Sequence, residues 1–487
     1  MKIVQKKKSN KLKYLMFLFI SIYIDVFQVI STYSQDSLFN YLEIAAKNNP
    51  TVLQRFSEYH AALQKVPQVG GLPDPELSVG VFLSPMELLE GKQVADIRLM
   101  QMFPWFGVLK NAKDEMSLMA KSKYQLYLDA RLQVYYDVQR TWYELYKSRQ
   151  DINISEKNIQ ILRTLNRLAL VRYSSNSSGG DGVSVSLGTK MQSQNSSAGS
   201  MGMQTLAGNS GGSSSSSVNQ TFSAKQNNSM GSSSGNTSLA DLYRIQIEIG
   251  DLENEMALLK NQQNTIIVKF NSLLNRPVQS TVDIIDTLKP DSLNISFLVI
   301  LDSIHNNNPM LGMLQYEKQS LDSRKIMATR MGYPMVGLGV NYSLINRSDM
   351  STSSMNGKDM IMPMVTVTLP IYRAKYKALR TEADIMKSAT ENEYKAAVNS
   401  LQTEYYEALQ LYQDAKRRMI LYENQSQLAK KSLDIMIISF SSSGSGLTDV
   451  LRVRQQMLDY EFKKVDALTD FNTAIAWLKR LGNLEKI

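Results

Sequence analysis

The sequence predicts a mainly α chain with a small β contribution of the kind that enters a membrane β-barrel. It is organised as one unit used twice, two β-strands followed by a long α-helical hairpin. Three observations carry this reading. Two long tracts lack proline, a pair of short alternating segments stands before each tract, and residue identities recur at constant offsets between the halves.

The first residues come before any of these. Lys2, Lys6, Lys7, Lys8, Lys11 and Lys13 precede an apolar stretch from Tyr14 to Ile24, and small or polar residues follow from Ser31 to Gln35. That order is a secretory signal peptide over residues 1–34. The other reading, a membrane anchor, needs about 20 uncharged apolar residues, and Asp25 interrupts this stretch. Six lysines and one aspartate leave with the leader, so the formal charge of +9 falls to +4. A residual charge this small does not support nucleic-acid binding, which needs a concentrated basic patch.

The twelve prolines avoid the chain between Trp105 and Arg276 and after Ile371. Proline breaks helix interiors, so these tracts predict very long helices, over about 108–173 and 238–275 in the first half and about 374–440 and 446–483 in the second. Leu128, Tyr135 and Trp142 step by seven, as do Val138, Leu145, Ile152 and Ile159, which is the spacing of a packed helical seam. A helix from 110 to 173 would be about 95 Å long. These stripes are expected to pack helix on helix and to hold no cofactor.

Strands are expected over about 75–103 and 334–370. Leu77, Val79, Val81 and Leu83 alternate with Ser78, Gly80 and Phe82, and Ala95, Ile97 and Leu99 with Asp96, Arg98 and Met100. In the second pair Val336, Leu338, Val340, Tyr342 and Leu344 alternate with Gly337, Gly339, Asn341 and Ser343, and Val365, Val367 and Leu369 with Thr366 and Thr368. One apolar face and one small or polar face suits a membrane barrel strand, and a soluble hairpin would show the same alternation.

The duplication runs from 35–287 to 288–487. Ser37-Leu38 to Asn49-Pro50 matches Ser296-Phe297 to Asn308-Pro309, and Trp142-Tyr143-Glu144 answers Tyr405-Tyr406-Glu407. At an offset of 208, nine residues from Leu239, Asp241 and Arg244 to Asn275 recur from Leu447, Asp449 and Arg452 to Asn483. Four strands cannot close a membrane barrel, whose smallest size is about eight, and open strand edges are not tolerated in lipid. The chain is therefore expected to oligomerise.

The chain has no cysteine, which removes disulfides, thiolate metal sites and a lipidated N-terminal cysteine. No nucleophile–base constellation, phosphate loop or metal-ligand cluster appears, so no enzyme, cofactor or metal site is predicted. The competing class is a secreted coiled-coil scaffold.

Signal peptide, strand pairs and helical hairpins together resemble the TolC-like outer-membrane efflux proteins over essentially the whole mature chain. The residues that carry the resemblance are Asn49-Pro50, the strand-to-helix turns at Pro104 and Pro370, and the sequences Leu239-Ala240-Asp241-Leu242 and Gly446-Leu447-Thr448-Asp449-Val450-Leu451. The resemblance implies a homotrimeric β-barrel in the bacterial outer membrane continued by an α-helical tunnel in the periplasm. It also implies docking to a periplasmic adaptor and an inner-membrane efflux pump. Leu239, Asp241, Gly446, Leu447 and Asp449 would then belong to the tunnel tip that the adaptor engages. Asp241 and Asp449 have a plainer reading as acids favoured at a helix start. An exit duct for secreted proteins is the runner-up within the channel class.

Leu72-Pro73-Asp74-Pro75 and Gln101-Met102-Phe103-Pro104-Trp105-Phe106-Gly107 resemble the members that serve heavy-metal efflux. Twenty-six methionines, among them Met360, Met362 and Met364, would suit soft Cu(I) or Ag(I), though methionine is also ordinary packing material. With only His60 and His305 no ligand cluster can be named. The sequence departs from its own repeat at 174–237, a Ser, Gly and Asn-rich insertion with three charged residues. It is expected to be flexible and tolerated at the tip of the first hairpin.

Overall fold

The structure is a computed structural model and describes residues 36–177, 239–293, 296–442 and 445–484. The predicted signal peptide and the insertion from residue 178 onward lie outside these residues.

The element order is α1 (Asp36–Asn48), α2 (Pro50–Gly70), β1 (Glu76–Leu88), β2 (Gly91–Phe103), α3 (Val108–Ser177), α4 (Leu239–Leu273), α5 (Phe297–Asn307), α6 (Pro309–Arg330), β3 (Met335–Asn346), β4 (Met360–Thr368), α7 (Arg373–Ser441) and α8 (Leu447–Leu481). The unit of two strands and a long helical hairpin is present twice. Each copy opens with two short helices, where the sequence suggested one. The break is the Asn-Pro pair, because the residue before proline is pushed out of helical geometry and Asn49 and Asn308 have ψ of 124° and 125°.

The same asparagine secures the helix that follows. Asn49 Oδ1 accepts hydrogen bonds from the backbone N–H of Thr51 (2.9 Å) and Val52 (3.4 Å), and Asn308 Oδ1 accepts one from Met310 (3.0 Å). Their Nδ2 groups reach back to the returning helices, Asn49 to the Leu273 carbonyl (2.8 Å) and Asn308 to the Leu481 carbonyl (3.1 Å). Both returning helices end in a left-handed asparagine, Asn275 and Asn483, each at φ 50°. The next amide reaches back to close the last turn, Arg276 to Asn271 and Leu484 to Lys479.

The chain divides into two compact units. The first holds the described residues up to 157, 253–427 and 458–484. Its four-stranded antiparallel sheet has the order β1-β2-β3-β4. One core gathers Tyr41, Val52, Val138, Trp142, Phe270 and Leu274, and a second gathers Ile300, Ile304, Leu401, Tyr405, Leu478 and Leu481. The second unit holds the described residues of 158–252 and 428–457. Leu162, Leu165, Ile245, Leu252, Phe440, Leu447, Val450 and Leu451 are buried in it. The long helices α3 and α7 have 70 and 69 residues, about 105 Å each.

Candidate functional site

Two regions deserve the name of site, the sheet and the region holding the starts of α4 and α8. In the sheet, the register pairs Leu77 with Leu99, Val79 with Ile97 and Val81 with Ala95. It pairs Leu99 with Val340, Ile97 with Tyr342 and Gln101 with Leu338, and Val336 with Val367 and Leu338 with Val365. Residues directly opposite share a face, so the apolar alternates of all four strands form one continuous face. It is exposed in the single chain: Leu77 is 66%, Val81 67%, Leu338 52% and Val365 70% accessible. The opposite face carries Ser78, Gly80, Asp96, Arg98, Gly337, Gly339, Asn341, Ser343 and Thr366.

Hydrophobic residues ordinarily cover a core, and an apolar sheet face of this extent left open marks a surface that meets something other than water. The outer edges of β1 and β4 have no partner strand among the described residues. Among the same residues, no helix is long and apolar enough to cross a membrane.

The two strand-to-helix turns are built differently. After Pro104, Gly107 adopts φ 87°, a conformation that disfavours a side chain. Its carbonyl accepts from both the backbone and the side chain of Asn111 (3.0 and 2.5 Å). Trp105 stacks on Tyr333 with ring centres 5.4 Å apart. After Pro370 no positive φ is needed, since the Ile371 and Arg373 amides donate to Leu369 and Ile371.

The second unit brings the two repeated helix starts together. Leu239 and Asp241 lie in the first turn of α4, and Leu447 and Asp449 in the first turn of α8, with Gly446 just before. Arg244 of α4 donates to the Thr448 hydroxyl of α8 at 3.5 Å, and Arg454 of α8 bonds Glu248 of α4 at 2.5 Å. Leu239 is 47% exposed whereas Leu447 is 4% exposed, so the two leucines of the repeat do different jobs. Asp241 and Asp449 both stand where an acid favours the helix dipole. A side chain at Gly446 would approach only Asp449 Oδ2, at 3.8 Å, so neither crowding nor φ demands glycine there.

The histidines are engaged elsewhere. His60 packs on the Phe56 ring at 4.4 Å, and His305 Nδ1 donates to the Leu301 carbonyl at 3.0 Å. Among the described residues no group of three or more His, Cys, Asp or Glu could hold a metal ion.

One charged group escaped the sequence reading. Asp151 of α3 is 7% exposed, and its Oδ1 has no hydrogen-bond partner among the described residues. Burial pushes its carboxyl up to about 7, against the pull of Lys147 and with the repulsion of Asp466 and Glu255. Lys147 itself is taken by Asp466 at 2.5 Å. Asp151 stands next to Ile152 of the seam, and the seven-residue spacing does not say that the carboxylate beside it loses water, so only packing could reveal it.

No protein-family model matches the sequence, and no curated protein does. Solved structures do match. The outer membrane protein VceC of Vibrio cholerae aligns with TM-score 0.65 and 13% identity over 91% of this chain and 96% of its own. The outer-membrane channel CmeC of Campylobacter jejuni aligns with TM-score 0.67 and 12% identity over 92% of this chain and 85% of its own. The outer-membrane channel MtrE of Neisseria gonorrhoeae, in its open state, aligns with TM-score 0.63 and 13% identity over 92% and 89%. At such identities the likeness is one of fold.

Proposed function

From a chain that has the fold of the TolC-like outer-membrane channels, we propose that it is the outer-membrane channel of a tripartite efflux system. The observation that carries this reading is the continuous, exposed apolar face across β1 to β4, backed by a small and polar face. Such a sheet suits lipid outside and water inside. In lipid the free edges of β1 and β4 must be closed, and β1 of one copy pairing with β4 of the next closes them without any new element. Three copies supply twelve strands, and their long helices continue the barrel as a periplasmic tunnel.

The adaptor and pump dock at the tip. Exposed Leu239 and Asp449 face the adaptor with Asp241 and Gly446 beside them, while Leu447 is buried and supports the tip from within. Pro104 and Pro370 set the turns where barrel strand becomes tunnel helix. Metal cations are the cargo favoured by the segments around Pro73 and Pro104.

The full chain, expressed with its leader, should appear in the outer-membrane fraction as a heat-modifiable trimer that conducts ions in planar bilayers. A soluble, non-conducting rod would sink the reading in favour of a scaffold. Deletion of the gene should sensitise cells to copper, silver, zinc or cobalt salts. Unchanged metal tolerance alongside hypersensitivity to dyes and antibiotics would overturn the cargo assignment and leave the channel standing.

A further inference from the structure

The small and polar face of the sheet also carries six methionines, Met100, Met102, Met335, Met360, Met362 and Met364, at register positions that share that face. Two glycines stand among them. Gly339 lies between Met100 on β2 and Met364 on β4, and Gly337 between Met102 and Thr366. At Gly339 the Leu99 carbonyl oxygen, 2.7 Å from where a first side-chain carbon would stand, leaves no room for one, and at Gly337 that space is taken by sulfur. A first side-chain carbon at Gly337 would lie 2.5 Å from Met102 Sδ and 3.5 Å from Met100 Sδ, and one at Gly339 would lie 3.4 Å from the Met100 methyl. Both thioethers of β2 therefore reach across the floor of β3, toward the strand that presents Met364.

The result is a trough with a backbone floor at 337 and 339, thioethers on one wall and Met364 with Thr366 on the other. Its methionines are not sealed in a core. Met360 and Met362, on the next rungs of β4, are 39% and 45% exposed. No Lys, Arg, Asp or Glu occupies the trough positions 100, 102, 337, 339, 364 and 366; on the same face Asp96 and Arg98 offset each other formally, and Glu76 stands opposite Met100 at the edge of the trough.

We propose that this trough is a binding site for a soft monovalent cation, Cu(I) or Ag(I), held by the thioether sulfurs of Met100, Met102 and Met364. Thioether is a soft, neutral ligand that selects Cu(I)-like ions and leaves hard cations in water. A set of neutral ligands holds its ion loosely enough to exchange, which suits a station on a path. That the ion reaches the trough from the channel interior rests on the channel reading above; the ligand set does not. The plain alternative is packing, since methionine fills irregular gaps and two glycines leave one.

Leucine separates the two, because it replaces methionine in volume and has no sulfur. The full-length protein, extracted in detergent, is titrated with silver nitrate in chloride-free buffer by calorimetry. We expect binding near one ion per chain, weakened by about tenfold or more in M100L/M102L/M364L and measurably in M364L alone. M350L/M386L, at exposed methionines away from the trough, should leave it unchanged. Silver binding equal in wild type and triple variant, or no binding by wild type, overturns the site. If the triple variant fails to fold, X-ray absorption on the silver-loaded wild type decides, with sulfur neighbours expected and an oxygen or nitrogen shell refuting. Bilayer conductance of the same samples keeps the two readings apart. Silver binding without conductance removes the channel and leaves the site, and conductance without silver binding does the reverse.

Discussion

The two copies agree closely at Asn49 and Asn308 and part company at 151 and 414. At the Asn-Pro breaks each asparagine caps one helix and holds the end of another, with hydrogen bonds of 2.8–3.4 Å at Asn49 and 3.0–3.1 Å at Asn308. At an offset of 263, Trp142 becomes Tyr405 and Asp151 becomes Asp414. Trp142 is buried with no partner for its indole N–H among the described residues, whereas the Tyr405 hydroxyl donates to the Phe297 carbonyl at 3.0 Å. Asp151 is buried beside Lys147, which Asp466 already engages, and Asp414 is half exposed and bonds Arg417 at 2.9 Å. Duplication preserved the hydrogen bonds that terminate helices, and let the groups along the seam diverge.

The largest expected effect tests the first core. Trp142→Ala removes the bulk around which Tyr41, Val138 and Phe270 pack and should destabilise by about 3–5 kcal/mol. A melting shift no larger than that of Tyr405→Phe would show that the first core does not depend on it.

Asp151 comes next. The folded state keeps its proton up to about 7, while the unfolded chain loses it in the ordinary carboxylate range. The stability associated with the protonated group is thus complete below about pH 4 and is lost as pH rises toward 7. Asp151→Asn escapes that loss, less the attraction of Lys147, so it should be more stable than wild type by on the order of 2 kcal/mol at pH 8 and no different at pH 4. Equal gaps at both pH values would refute the contrast.

Asn49→Ala and Asn308→Ala should each cost about 1–2 kcal/mol. The decisive quantity is their equality, read as matched falls in melting temperature; a difference of several-fold would mean that the two junctions are alike only in geometry. Tyr405→Phe leaves the Phe297 carbonyl without its donor and should cost about 1 kcal/mol. The smallest effect expected is none, from deletion of 178–237. Trimer assembly and transport at wild-type levels would make the insertion dispensable, and lost transport with normal assembly would give it a role in docking.

Periodicity explains what was legible in the sequence and what was not. Absence of proline over more than a hundred residues reads directly as long helix, because one interior proline removes a hydrogen bond and clashes with the preceding turn. Alternation reads as a two-faced strand, because successive side chains point to opposite sides. The apolar face and the duplicated hairpins follow from such local rules applied twice.

Proximity between distant segments obeys no such rule. Nothing at Asn49 announces that its amide will find the Leu273 carbonyl, nor does the repeat say that Leu447 is buried while Leu239 is not. Asp151 carries the same local signature as Asp414, yet only the packing of α3 against α4 and α8 excludes water from one of them. The methionines were visible as a composition, and only strand register set Met100 and Met364 on either side of Gly339. The sequence by itself determined which segments are helix and strand and which strand face is apolar, since those depend on neighbours along the chain. Tertiary structure alone decided which groups lose water and which sulfurs share a floor, since those depend on what the fold brings from hundreds of residues away.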